Sequence, residues 1–369
     1  MQAKSKTQVK VAIVTPYLTG HGGMETVLVD VMNAYHSDQK INLTVYFSQG
    51  IGNEDFLNVL EDHSQILNRL NAGEQTFAKK MLNVVKTVFF LATSNADEII
   101  CMGTRLNRLA ALVKTIFRKN YTVVSWIHFS LVGGDVVSVD AIKAADYHLA
   151  ISNGIKRQLI DMGVAPRRIS VVYNPIDVNV PVVADVAENN PVTFLYIGRI
   201  QWEQQKNLQE LFNALRRLHG NWQLIVVGSG EDEQMKLFIK QFHLEHHVKL
   251  LGWQSNPWIK VEAVSCSVLS SKFEGLPMGL IESLTRGIPC VASDCPTGPA
   301  DLIKPMENGF LYKMGDVSQL AELLQKFVDK KVSFNHAEIK EKMNWLNSNR
   351  YYQNFTNQLL QIETDSKKV

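Results

Sequence analysis

The sequence predicts an α/β protein of two doubly wound domains, and three observations carry that expectation. Short apolar runs alternate with helix-spaced segments, the alternation breaks near residue 178, and it restarts near residue 192. The length of 369 residues also exceeds one ordinary domain of roughly 100–200 residues. The expected parts are a first domain over 1–180, a second over 181–345, and a C-terminal helix over 346–369 crossing back to the first.

In the first half, Val11–Pro16 has the unbroken apolar character of a buried parallel strand, and Met24–Tyr35 has helical spacing through Val27, Leu28, Val31 and Met32. Leu43–Phe47, Glu98–Met102, Thr122–Ile127, His148–Ile151 and Ser170–Tyr173 follow as strands with helix-like segments between most of them. Val178–Pro191 holds two prolines, several acids and no helical period, and reads as a linker. The second half opens with the strand Val192–Ile197, a helix near Asn207–Leu218 and the strand Gln223–Val227. Asn207 followed by Glu210 fits a capping box at that helix start. Val248–Leu250, Ala263–Leu269 and Cys290–Ser293 are the later strands, Pro277–Thr285 is a short helix among them, and Trp345–Ile362 is the terminal helix.

Bulk composition limits the function classes. With 46% hydrophobic and 20% charged residues, each half can bury a core, and a disordered majority is excluded. A formal charge of +2 speaks against a general nucleic-acid binder. Cys101, Cys266, Cys290 and Cys295 form no metal spacing and read as buried free thiols of a reducing cytoplasm. Met1–Lys10 leads into Val11–Val14 without a small-residue cleavage site, so no export signal is expected. Met81–Ala92, interrupted by Lys86, falls short of the ~20 residues that span a bilayer.

Three segments carry chemistry. The loop Thr19-Gly20-His21-Gly22-Gly23-Met24-Glu25-Thr26 lies between a strand and a helix, where glycines let backbone N–H groups approach a phosphate; a tight turn without ligand is the plainer alternative. A nicotinamide cofactor is disfavoured, because Ser48 and Gln49 follow the second strand where an acid would hold a ribose. Ile197-Gly198-Arg199 ends the strand that opens the second half, and Lys206 stands beside the next helix. Two cations at a strand terminus make an anion site of the strength a diphosphate needs. Lys272-Phe273-Glu274-Gly275-Leu276-Pro277-Met278-Gly279-Leu280-Ile281-Glu282 offers carboxylates for sugar hydroxyls and helix-start N–H groups for phosphates. A paired-acid hydrolase needs two carboxyls at a set separation, which this spacing does not establish.

With Gly22-Gly23, Asn174-Pro175-Ile176-Asp177, Gly198-Arg199…Lys206 and Glu274-x7-Glu282, the chain resembles the retaining glycosyltransferases of family four over nearly its whole length. Gln205-Lys206-Asn207, Gly252-Trp253-Gln254…Pro257-Trp258 and Ser293-Asp294-Cys295…Gly298-Pro299 make it most similar to the bacterial lipopolysaccharide 1,6-galactosyltransferases. The resemblance implies the GT-B fold, two Rossmann-like domains facing each other across a deep cleft. It further implies that Arg199 and Lys206 bind the donor diphosphate, Glu282 holds the ribose, Glu274 contacts the sugar, and backbone at Leu276, Met278 and Gly279 touches sugar or phosphate. Gly198 and Trp253 join the donor-binding set, Gly22 and Gly23 meet the diphosphate as the cleft closes, and His128 falls near the reacting carbon. The catalytic group is then Glu274, His128, Arg199 and Lys206. Arg199 and Lys206 stand seven apart where five is usual in the family, and Asn207 replaces a glycine, a departure the galactosyltransferase branch shares.

The expected reaction is hexose transfer, from UDP-galactose or alternatively UDP-glucose or a UDP-N-acetylhexosamine, to a glycolipid or polysaccharide such as lipopolysaccharide core. A front-face route is expected because no nucleophile is evident on the opposite face. No metal or other cofactor is expected, since the two cations supply the charge. Lys79, Lys80, Lys86, Arg105, Arg108, Lys114, Arg118 and Lys119, among Phe77, Phe89, Phe90 and Phe117, mark an acceptor region that rests on anionic membrane, or else ordinary solvated helix faces. An epimerase or phosphorylase, a non-catalytic sugar-nucleotide-binding subunit and a dehydrogenase are the competing classes.

Overall fold

The structure is a computed structural model and describes residues 8–20, 22–68, 76–133, 137–230 and 232–367. Two compact units appear. The first runs to Pro175, apart from 132–135, and takes up the chain again at Asn349; the second comprises Ile176–Ser348 together with 132–135. The division falls inside the Asn174–Asp177 run, earlier than the expected boundary at 180.

In the first unit the order is β1 (Val9–Thr15), α1 (Gly23–Tyr35), β2 (Ile41–Phe47), β3 (Ile66–Asn68), α2 (Phe77–Thr93), β4 (Glu98–Cys101), α3 (Thr104–Ile116), β5 (Thr122–Ser125), α4 (Val139–Lys143), β6 (Tyr147–Ala150), α5 (Asn153–Asp161) and β7 (Ile169–Val171). The strands form one parallel sheet ordered β3-β2-β1-β4-β5-β6-β7. Ala12, Val14, Ile99, Cys101 and Val123 pack in one core cluster with Leu91, Ala110 and Val113 from α2 and α3. The intervening Val11, Ile13 and Ile100 are buried as well, which explains why these strands are apolar without alternation.

The second unit contains β8 (Val192–Ile197), α6 (Leu208–Leu215), β9 (Trp222–Val227), α7 (Glu233–Gln241), β10 (Val248–Gly252), β11 (Cys266–Leu269), α8 (Met278–Thr285), β12 (Cys290–Ser293), α9 (Pro299–Leu302), β13 (Gly309–Tyr312), α10 (Val317–Val328) and α11 (His336–Lys342). Its parallel sheet, ordered β10-β9-β8-β11-β12-β13, repeats the first six positions of the other sheet. Phe194 and Tyr196 face the cluster containing Leu211, Phe212, Leu320 and Leu324, whereas Leu195 faces the one with Ile225, Val264 and Ile288. β8 is therefore buried on both sides, by α6 and α10 on one and by segments including Val183, Val264 and Ile288 on the other.

Residues 178–191 are not a free linker. Val178 and Val183 are buried, Val183 N–H donates to Arg286 O at 2.9 Å, and Lys340 Nζ donates to Val180 O. The two buried valines and these hydrogen bonds anchor the strap against the second unit. The capping box is also corrected. Asn207 is the N-cap of α6 but sits at φ 49°, with no side-chain cap bond; its Nδ2 instead donates to Glu210 Oε2 at 2.5 Å. The left-handed backbone, which Asn tolerates better than most residues, turns the amide away from the helix N–H groups.

The last helix, α12 (Ser348–Ser366), belongs to the first unit from Asn349 onward. Tyr35 OH bonds Thr356 Oγ1 at 2.8 Å, Tyr352 OH donates to Asp30 O at 3.1 Å, and Asn354 Nδ2 donates to Val171 O at 3.1 Å. Phe355, fully buried, tilts against Trp126 at 5.3 Å. All four cysteines are free and buried. Among the described residues, no helix is long and apolar enough to cross a membrane.

Candidate functional site

In the second unit β8 and β11 are neighbours, β9 and β10 lie to one side, and β12 and β13 to the other. Successive connections diverge at such a switch point and leave a crevice at the carboxyl ends of the strands. The loop 198–207 leaves β8 here, and the loop 270–277 leaves β11. Gly198, Arg199, Lys206, Glu274 and Leu276 lie on these two loops, with Met278, Gly279 and Glu282 on α8 just beyond.

Hydrogen bonds join the loops. Lys206 Nζ lies 2.7 Å from Glu274 Oε1, with only 15% and 6% of the two side chains exposed. Ser271 Oγ donates to the same Oε1 at 2.5 Å, Thr297 Oγ1 donates to Glu274 O, and Ser293 Oγ donates to Ser271 O at 2.6 Å. One carboxylate oxygen is therefore doubly engaged, and the other accepts no hydrogen bond among the described residues. Lys206 is thus a paired ammonium here rather than the open cation the sequence suggests, although an ammonium with three N–H bonds keeps donors to spare. Arg199 is exposed, and its Nη2 donates to Gln205 Oε1 at 2.8 Å.

Glu282 lies off this network. Its Oε2 accepts from Trp258 Nε1 at 3.3 Å, and Arg286 lies 4.1 Å over the same indole while donating to Glu282 O at 3.0 Å. Burial pushes the Glu282 carboxyl above its ordinary range, opposed by the Arg286 charge and the Trp258 bond. Trp253 follows β10 and is more than half exposed, outside the Lys206–Glu274 network. At the start of α8, Leu280 and Ile281 N–H both return to Pro277 O, while Gly279 N–H makes no hydrogen bond among the described residues. Position 279 needs glycine, since a Cβ there would come within 2.8 Å of Ile197 O at the end of β8.

In the first unit the glycine loop lies at the corresponding place, after β1; His21 falls outside the described residues. Glu25 is buried, and its Oε1 accepts from Gly20 N at 2.9 Å and Thr19 Oγ1 at 3.2 Å, closing the loop. Gly22 caps α1, and neither Gly22 nor Gly23 N–H donates a hydrogen bond among the described residues. His128 follows β5, packs edge-on to Trp126 at 4.5 Å, and has a buried Nε2 without a hydrogen-bond partner among the described residues. Desolvation pushes its pKa down to about 3, which fits a neutral hydrogen-bonding group and not a proton shuttle near pH 7.

Ser271, Thr297, Gln205 and Arg286 have no assigned site role in the sequence reading, yet they hold the site residues in place. Arg286 had a local signal, standing one helical turn beyond Glu282.

Residues 21–180 match the family described as Glycosyltransferase Family 4, and residues 183–346 match Glycosyl transferases group 1. The lipopolysaccharide 1,6-galactosyltransferase of Salmonella typhimurium is 34% identical over 355 residues, covering 94% of this chain and 98% of the relative. This chain belongs to glycosyltransferase family four. The lipopolysaccharide 1,6-galactosyltransferase of Escherichia coli K12 is likewise 34% identical over 350 residues, covering 93% of this glycosyltransferase and 96% of that one. The solved apo form of the lipopolysaccharide outer core galactosyltransferase WaaB superposes with a TM-score of 0.82 at 33% identity, covering 96% and 99% of the two chains. HepE of Anabaena, solved with UDP and glucose, shares the fold at a TM-score of 0.74 and 19% identity, covering 95% and 99%. The glycosyltransferase therefore has the GT-B architecture of two parallel-sheet domains, and it is a nucleotide-sugar-dependent hexosyltransferase.

Proposed function

We propose that the chain transfers galactose from UDP-galactose, with retention and without a metal ion, to a lipopolysaccharide core or a closely similar glycolipid. The observation that carries this reading is the Lys206–Glu274 pair at the switch point, with one carboxylate oxygen uncommitted and Arg199 on the same loop as Lys206. The free oxygen suits a sugar hydroxyl, while the two cations offset charge growing on the departing diphosphate. Glu282 takes the ribose through the oxygen that Trp258 leaves open, Gly279 N–H with backbone at Leu276 and Met278 meets sugar or phosphate, and Trp253 borders the donor. Gly198 lets the chain turn to present Arg199. The family resemblance assigns Gly22 and Gly23 backbone contacts to the donor diphosphate and neutral His128 a hydrogen bond near the reacting carbon. The acceptor hydroxyl attacks from the face the nucleotide leaves, and a donor phosphate oxygen takes its proton.

The enzyme works in the cytoplasm, in peripheral contact with an anionic membrane. Helix α2 supports this by turning its apolar side outward. It buries Asn83, Thr87 and Leu91, but leaves Phe77 80%, Met81 50%, Leu82 53%, Val85 61% and Phe89 69% exposed beside Lys80 and Lys86. Such a face gains free energy in a lipid interface, and the lysines add attraction to anionic headgroups.

A donor panel scored by UDP release on truncated lipopolysaccharide cores tests the reaction, with the anomeric product read by NMR. UDP-galactose giving the retained anomer, with activity unchanged by chelator, is expected. Preference for UDP-glucose, inversion, or loss with chelator overturns the corresponding part. Flotation with anionic vesicles is expected for the native chain and not for Phe77→Ser/Phe89→Ser; equal flotation overturns the α2 contact.

A further inference from the structure

We propose that Gln205 is a positioning residue that aims Arg199 at the donor diphosphate and fixes it relative to the Glu274 loop. The inference rests on the reading of Arg199 as a diphosphate ligand. Gln205 is the one hydrogen-bond partner of the Arg199 guanidinium among the described residues, and it takes one of its five N–H bonds at 2.8 Å. The opposite end of the same amide donates from Nε2 to Phe273 O at 3.0 Å, one residue before Glu274. Its backbone carbonyl completes the tie by accepting Lys272 N–H at 2.8 Å. A single half-buried side chain thus spans the loops that follow β8 and β11, with its oxygen on the cation and its nitrogen on the backbone leading to the acid.

The choice of an amide has a physical reason. Arg199 is exposed, and an untethered arginine loses considerable rotamer entropy when a ligand immobilises it. A carboxylate at 205 would hold the guanidinium but cancel the charge the diphosphate needs. It would also set an oxygen against Phe273 O. A neutral amide restrains the arginine, leaves its charge intact, and leaves most of its N–H bonds open to the ligand.

The experiment measures the Kd of UDP by calorimetry for the full chain, Gln205→Met, Arg199→Ala and the double variant. Methionine keeps the volume and removes both side-chain bonds. Gln205→Met is expected to weaken UDP about tenfold, the scale of one lost hydrogen bond to a charged group. In the Arg199→Ala background the same change is expected to have no effect, because nothing remains to be aimed. A loop merely loosened by the substitution would instead weaken UDP equally in both backgrounds, and that additive outcome overturns the proposal. Unchanged UDP affinity in Gln205→Met overturns it as well. Native affinity in Arg199→Ala overturns the underlying assignment of Arg199, which the single variant of position 205 cannot do.

Discussion

Replacing Lys206 with methionine removes the ammonium from a pair whose members are largely shielded from water, with 15% and 6% of their side chains exposed. The Glu274 carboxylate would keep Ser271 as its hydrogen-bond donor and lose its counter-charge. Breaking a buried pair from one side costs about 3–5 kcal/mol, since the remaining charge is left desolvated. For a domain of this size that lowers the melting temperature by roughly 10 °C. The double variant Lys206→Met/Glu274→Gln removes both charges, and glutamine still accepts from Ser271, so most of the lost stability is expected to return. Activity is expected to behave differently. Transfer falls by roughly 10²–10³ in Lys206→Met, as when one fixed donor to a developing charge is removed, and it stays low in the double variant. Thermal melts and UDP release on the three proteins separate the two effects. A Lys206→Met protein that melts with the native chain, or a double variant less stable than either single one, would refute the claim that the pair is one coupled buried unit.

Three further outcomes are expected. Glu98 on β4 is fully buried with neither carboxylate oxygen hydrogen-bonded among the described residues, and burial raises its pKa well above the usual range, with Glu363 and Asp97 adding to the shift. The unfolded chain ionises this group first, so its cost is absent below the ordinary carboxyl pKa and grows as pH rises. Glu98→Gln should match the native chain in urea melts near pH 4 and gain on it by about 1.4 kcal/mol per pH unit above that, until the folded carboxyl ionises; a constant difference would contradict this. Trp258→Phe removes the indole N–H held by Glu282 but keeps a ring for Arg286 to stack on, so UDP should bind several-fold more weakly, with little change in melting temperature. Because His128 remains neutral down to about pH 3, kcat/KM for the native enzyme and His128→Gln should have the same pH profile from 5 to 8, differing only in height; loss of an acidic limb in the variant would show that the imidazole titrates during turnover.

The strands that carry the site are legible in the sequence because they are buried on both faces. Val192–Ile197 and Cys290–Ser293 have the same bounds in the sequence and in the structure, whereas β11, expected over Ala263–Leu269, begins only at Cys266. Strands β3 and β13 are not legible in the same way, since none of the three residues of β3 is fully buried and β13 opens on a glycine. Gly309 opens β13 because a Cβ there would lie 1.8 Å from Cys290 O, a reason that exists only once the two strands pair. At the site, residue types and loop positions could be read, but their supports could not. Ser271 sits three residues before Glu274 and leaves a faint local trace, whereas Thr297 reaches the same residue from 23 positions away. The Asn207–Glu210 spacing marks the helix start correctly but not its chemistry, since a capping box presumes an extended N-cap and this one is left-handed.

The two sheets share one strand order, so each unit has a switch point, yet the chemistry at the two differs in kind. After β1 the loop presents backbone N–H groups, and its acid, Glu25, turns inward to hold the turn. After β8 and β11 the chain presents side-chain charge, and three of the charged groups are held through one atom while another makes no hydrogen bond among the described residues. Arg199 is held through Nη2, Glu274 through Oε1 and Glu282 through Oε2. Groups fixed in this way need little reordering when the donor arrives, and preorganised dipoles and charges are the kind that act on a transition state without a cost at the moment of reaction. The same logic explains why the supporting residues are mostly neutral. Ser271, Gln205 and Trp258 orient charge without cancelling it, whereas Lys206 both orients Glu274 and shares its charge. Lys206 is therefore the member of the set whose substitution should disturb folding and chemistry together.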